Sequence, residues 1–211
     1  MSALPNTTFR IFARAPLLAA ALFCGLSTLV SAAEESKTLY ETQYQGLAMG
    51  TLITARLISP DAKAAQKLEE LVSERVDDYE TLFTVHREGP LYEVNKRSGE
   101  WVEVDCRITE LTEKAKAIAE ASDRAFEPTI GTLVNVWKIG FGGDQVPARS
   151  DIDAALKKVD YTKIETQRED NVCRMRIGKG QSIDLGAIAK GWIGTALTQD
   201  LEAAGATNVI L

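Results

Sequence analysis

Gln181-Ser182-Ile183-Asp184-Leu185-Gly186-Ala187-Ile188-Ala189-Lys190-Gly191 is the stretch on which the chain turns from strand to helix. The run before it, Cys173-Arg174-Met175-Arg176-Ile177, alternates and reads as a strand, while Ile188, Ile193, Ala196, Leu197 and Ala204 beyond it keep helical spacing. A helix start leaves backbone N–H groups unpaired, and with the helix dipole these favour an anion such as phosphate. Lys190 adds a full positive charge to that end, and Asp184 is an acceptor for a ligand or for the loop itself. The same residues also fit an ordinary strand-to-helix turn with a surface lysine. The complete Gly-rich phosphate loop is missing, so this stretch alone leaves both readings open.

Working outward, Gly46-Leu47-Ala48-Met49-Gly50-Thr51 leads into an alternating β-branched run from Leu52 to Ile58, a strand. Glycines near Met49 indicate a sharp turn or a close ligand approach. Residues 61–83 form an amphipathic helix with Leu68, Leu71, Val72, Val76, Tyr79 and Phe83 on one stripe. Thr84 to Pro90 is a loop carrying His86, the only histidine, which excludes any site needing two. By itself it reads as a surface residue. A short helical turn over Leu91 to Asn95 and a strand over 101–105 follow. Thr109 then reads as the cap of a helix ending at Ser122-Asp123.

Pro128 forces Glu127 to be extended, with its carboxylate beside the apolar segment Leu133 to Trp137. On spacing, Glu127 is a helix-capping acid. Phe141 to Arg149 is a loop, and Ser150 caps a short helix to Val159 that shields the sheet. Strands and helices interspersed without strict alternation make the fold α+β, a mixed β-sheet with packed helices. Val209-Ile210-Leu211 opens an apolar strand, and with no turn, cap or polar tail after it the expectation is a C-terminally truncated reading frame.

Residues 1–33 carry Arg10 and Arg14 but no acid, then an apolar run and Val30-Ser31-Ala32-Ala33, the pattern of a secretory signal peptide. Phe23 before Cys24 argues against a lipoprotein anchor. The apolar run is short for a membrane span, and no later run is long enough. Residues 34–45 read as a polar linker and 46–211 as one domain. Loss of Arg10 and Arg14 takes the 24 basic residues to 22 against 30 acidic ones, moving the net charge from −6 to −8. A nucleic-acid face is therefore not expected. Cys106 and Cys173 would be in an oxidising compartment where one bridge is open to them, but each also fits an alternating strand as a small buried thiol, the preferred reading.

Four pieces in order, Ala48-Met49-Gly50-Thr51, Leu82-Phe83-Thr84-Val85-His86 with Asn95 downstream, Ala125-Phe126-Glu127-Pro128-Thr129-Ile130-Gly131-Thr132-Leu133-Val134-Asn135-Val136-Trp137 and Asp184-Leu185-Gly186-Ala187-Ile188-Ala189-Lys190-Gly191, resemble the ApbE family of FAD:protein FMN transferases. The resemblance covers essentially the whole chain after the leader. It implies an ApbE-like fold, incomplete at the C-terminus, in the bacterial periplasm, with association to the inner membrane left open. It implies FAD as substrate, Mg2+, and an acceptor flavoprotein whose threonine hydroxyl takes FMN with release of AMP.

Residue by residue, the resemblance implies FAD contacts at Met49, His86, Ala125, Phe126, Glu127, Asp184 and Lys190, and a magnesium-ligating backbone carbonyl at Ala187. His86 stands where many members have tyrosine, and Glu127 where aspartate is common. The family's closing Gly-Gly-Asp turn and the downstream aspartate and threonine of its metal site have no counterpart in this sequence, which implies that these 211 residues alone are inactive. Two other readings share the motifs: an FAD pyrophosphatase using water in place of the threonine, and an inactive truncated flavin-binding protein.

Overall fold

The computed structural model describes residues 38–139, 142 and 145–211. The leader expected over residues 1–33 lies outside them, as do Phe141, Gly143 and Asp144 of the expected loop. Helices and strands are interspersed as the α+β reading requires, but the strands form two three-stranded antiparallel sheets instead of one mixed sheet. The first orders β1 (Tyr40–Ala48), β2 (Thr51–Ser59) and β6 (Asn208–Ile210) with β2 central. The second places β5 (Val172–Arg176) between β3 (Val102–Val104) and β4 (Glu165–Glu169). Among the described residues, the parallel pairing on which a mixed sheet would depend is an isolated bridge from Ile130 to Ser182.

The polar segment expected as a linker over 34–45 is a strand from Tyr40 onward, pairing Tyr40 with Ser59 through to Ala48 with Thr51. Its polar composition hid a period of two: Tyr40, Thr42 and Tyr44 share the face of β2 that carries Ala55, Leu57 and Ser59. The connecting turn is Met49-Gly50, with φ of 51° and 69°. Two consecutive positive φ values are what a two-residue type I′ hairpin requires, and Gly50 is the residue that adopts this freely.

Two long helices tie the sheets together. Helix α1 (Ala62–Phe83) starts at Asp61, whose carboxylate accepts from the Ala64 N–H at 2.7 Å. Its stripe Leu68, Val72 and Val76 packs under the first sheet with Ala55 and Leu57, while Tyr79, Leu82 and Phe83 enter a second core. Helix α6 (Gly186–Ala203) mirrors this in reverse, with Ala189 and Ile193 in the second core and Leu197 and Leu201 in the first. Spacing by four residues keeps these side chains on one line of the helix. Residues near the start of α6 and the end of α1 are thus fixed by one core.

Helix α2 (Pro90–Lys96) contributes Leu91 and Val94 to that core. Helix α3 (Cys106–Ala121) begins three residues before Thr109. Its cap is Asp105, whose carboxylate accepts from the Arg107 N–H at 2.8 Å and pairs with the Arg107 guanidinium, which holds the carboxyl below its usual range. Thr109 is buried and donates to the Cys106 carbonyl. Cys106 therefore opens a helix, and the preferred buried-thiol reading fails: it forms a disulfide with Cys173 of β5 across 67 residues. Helix α5 (Arg149–Leu156) starts from Ala148 instead of Ser150 and packs on α4 (Gly131–Trp137), not over a sheet as expected.

Candidate functional site

Gln181 to Leu185 follows β5 and delivers the chain to α6. It belongs to neither sheet, yet hydrogen bonds reach it from both sides. Asn95 of α2 donates from Nδ2 to the Ile183 carbonyl at 2.9 Å and accepts at Oδ1 from the Ile183 N–H at 2.7 Å. Opposite, the Asp184 N–H donates to the Pro128 carbonyl at 2.8 Å and the Ser182 N–H to Thr132 Oγ1 at 3.2 Å. A Cβ on Gly131 would meet the Ser182 carbonyl oxygen at 2.7 Å, so this close approach requires glycine. Buried Gln181 spends its amide on the carbonyls of Lys158 and Asp160 and on the Gly178 N–H.

Between these walls opens a cleft of about 480 Å3. His86, Tyr92, Asn95, Asn135, Ser182 and Asp184 are among its lining residues. Of the expected contacts, the structure brings His86 and Asp184 together here. Asp184 turns one carboxylate oxygen to the Gly186 N–H at 2.8 Å, two residues on, in the turn that enters α6. Lys190 is exposed one turn further on, on the same side of the helix as Gly186. Its side chain is not among those that line the cleft. Ala187 is exposed in the first turn.

The remaining expected contacts do not line the cleft. Met49 sits in the hairpin turn against both cores, and its N–H donates to Glu80 Oε1 at 3.0 Å. Glu80 also pairs with Arg87, which ties that turn to the His86 loop. Ala125 is exposed, and Phe126 packs half-buried on the core.

Glu127 does not cap a helix. Its side chain is 8% exposed and accepts from the Thr129 N–H and hydroxyl at 3.1 and 2.7 Å and from the Tyr161 N–H at 3.2 Å. Thr129 Oγ1 in turn accepts from the Asp160 N–H. Glu127 thus staples the turn bearing Pro128 to the 3-10 turn Tyr161–Lys163. Asp160, which caps that turn, is held below the usual carboxylate range by the Thr162 hydroxyl. Replacing Glu127 with alanine strands buried donors, each costing about 1–3 kcal/mol. The expected result is a fall in unfolding free energy of about 2 kcal/mol or more, read by urea denaturation; an unchanged midpoint contradicts it.

A magnesium site does not fit the described residues. Among them no three His, Cys, Asp or Glu side chains gather at a common point, and Asp184 is engaged with Gly186. The Ala187 carbonyl is one ligand, where the ion takes six oxygens with at least one carboxylate among them. No described helix is long and apolar enough to cross a membrane.

Asn95 and Gln181 are not among the contacts expected from the sequence, although Asn95 belongs to the motif series. The available signal was a carboxamide close to apolar positions, beside Val94 in one case and two residues before Ile183 in the other. A buried amide has to find backbone partners.

Fold and cleft together define an α+β protein in which the segment entering α6 lines a cleft. The chain belongs to the ApbE family, whose profile matches residues 49–211. It is 35% identical over 153 residues to an FAD:protein FMN transferase of Klebsiella pneumoniae (strain 342), covering 71% of this chain and 46% of that protein. It is 32% identical over 165 residues to the protein of the same name from Treponema pallidum (strain Nichols), covering 74% and 45%. Among solved structures, the ApbE protein of Thermotoga maritima MSB8 superposes with a TM-score of 0.67 at 30% identity, covering 78% of this chain and 53% of that one. The apo flavinyl transferase ApbE of Pseudomonas stutzeri has the same fold, with a TM-score of 0.69 at 22% identity over 80% of this chain and 57% of that one. The chain spans about half the length of the curated relatives it matches.

Proposed function

We propose that this chain supplies the FAD-holding part of an FAD:protein FMN transferase. The observation that carries the reading is the cleft at the start of α6, with His86 on its wall and Asp184 at the helix entry. In the proposed reaction a threonine hydroxyl of an acceptor flavoprotein attacks the FMN-side phosphorus of FAD. The new P–O ester bond forms as the anhydride bond breaks, the hydroxyl proton leaves, and AMP departs with the bridging oxygen. The nucleophile belongs to the acceptor, so no serine or cysteine of this chain has to be activated.

The chain's own part is electrostatic and positional. N–H groups at the start of α6 and the Lys190 ammonium face the charge of the pyrophosphate, and His86 offers a ring for the flavin to stack against. Met49, through Glu80 and Arg87, braces the His86 loop, and the turn bearing Glu127 and Pro128 holds the Asp184 N–H. The names of the relatives favour transfer over hydrolysis. We place the protein in the periplasm on the strength of residues 1–33; magnesium is a family expectation that the Ala187 carbonyl alone does not meet.

Titrating the chain into FAD while following flavin fluorescence tests the reading. Saturable quenching is expected, and His86→Ala is expected to weaken it three- to tenfold, consistent with about 1 kcal/mol for an aromatic stacking contact, with an unchanged thermal transition. A variant that loses its transition yet quenches FAD as before makes His86 structural.

A further inference from the structure

Gln181, Ile183 and Leu185 are buried, while Ser182 and Asp184 between them are half-buried at the cleft. This alternation is that of a strand, although the segment has a ladder partner on one side only, the bridge between Ile130 and Ser182. On the other side a single side chain does the work of a neighbouring strand. The Asn95 carboxamide meets the N–H and the carbonyl of the same residue at 2.7 and 2.9 Å, which is how one residue of an antiparallel ladder meets its opposite. One donor and one acceptor must face one acceptor and one donor, so the amide has a single orientation. Asn95 itself is set by Leu91 and Val94 of α2, which are buried in the core shared by the two long helices.

We infer that Asn95 is a positioning residue for flavin binding. By clasping Ile183 it fixes Ser182 and Asp184 at the floor of the cleft and, two residues on, the start of α6. This inference rests on the FAD reading above. Aspartate at this position keeps an acceptor for the Ile183 N–H but turns an oxygen toward the Ile183 carbonyl. Leucine fills similar space and removes both bonds.

The test is amide hydrogen exchange together with FAD titration on the full chain, for Asn95→Leu and Asn95→Asp, with Leu111→Ala on α3 as a variant destabilised away from the cleft. Exchange at Ile183 is expected to speed up tenfold or more in Asn95→Leu, and the dissociation constant for FAD to rise tenfold or more in both Asn95 variants. Leu111→Ala should lower stability and leave FAD affinity within twofold. If Asn95→Leu does not fold, Asn95→Asp carries the same comparison.

Fast exchange at Ile183 with unchanged FAD affinity would make the clasp purely structural and overturn the proposal. Unchanged exchange would show that no clasp exists. A parent chain that fails to bind FAD at all would refute the flavin reading, and the positioning role with it, while exchange at Ile183 still reports the clasp on its own.

Discussion

Replacing Cys106 and Cys173 with alanine is expected to lower the unfolding free energy by about 4 kcal/mol, the chain-entropy value for a loop of this length. The bridge spans 67 residues and joins the first residue of α3 to the central strand of the second sheet. Within the closed loop lie α3, α4, α5, the 3-10 turn and β4. Without it, the unfolded chain regains the freedom of that whole segment. At roughly 2–4 °C per kcal/mol for a domain of this size, the melting temperature should fall by roughly 10 °C. Scanning calorimetry of the parent chain with and without a reductant reads the same effect. A melting temperature unmoved while both thiols titrate as free would contradict it.

Lys190→Ala is expected to weaken FAD binding by about ten- to a hundredfold, the range for losing one charge-assisted hydrogen bond to a phosphate. The side chain is exposed on α6, so the substitution removes no core contact and alanine favours the helix. Stability should therefore stay within about 0.5 kcal/mol of the parent. Lys190→Arg keeps the charge and should retain most of the affinity. The loss should also shrink as salt rises, since screening weakens what the charge contributes. Equal affinity for parent and alanine variant at low salt would remove Lys190 from the phosphate corner.

Elements with a strong period were legible in the sequence. Helix α1 follows its apolar stripe to within a residue, and the turn at Met49-Gly50 follows from its glycine. The α+β class was legible too, but not the division into two sheets, because strand partners lie far apart in the chain: β2 pairs with β6, and β3 with β5. Strand β1 escaped notice because its inward residues are Tyr and Thr instead of aliphatic ones. Cys106 misled because the alternation of Trp101 to Asp105 seemed to run on through it, when Asp105 is in fact a helix cap.

His86 and Asp184, expected from their motifs as contacts, line one cleft, but what holds them there was not legible. On spacing Glu127 reads as a cap because a helix follows it closely; its partner Tyr161 lies 34 residues away. Asn95 and Ile183 are 88 residues apart, and no local pattern links them. Contacts of this kind are set by how α1 and α6 bring the two cores together, which is a property of the packed chain.

The central claim is that the linked phosphates of a dinucleotide rest at the start of α6. A crystal structure of this chain soaked with FAD tests it directly. The account predicts phosphate oxygens within hydrogen-bond distance of the first-turn N–H groups of α6, with the flavin ring on the His86 side of the cleft. FAD bound at another surface, with this corner and its cleft empty, would contradict it.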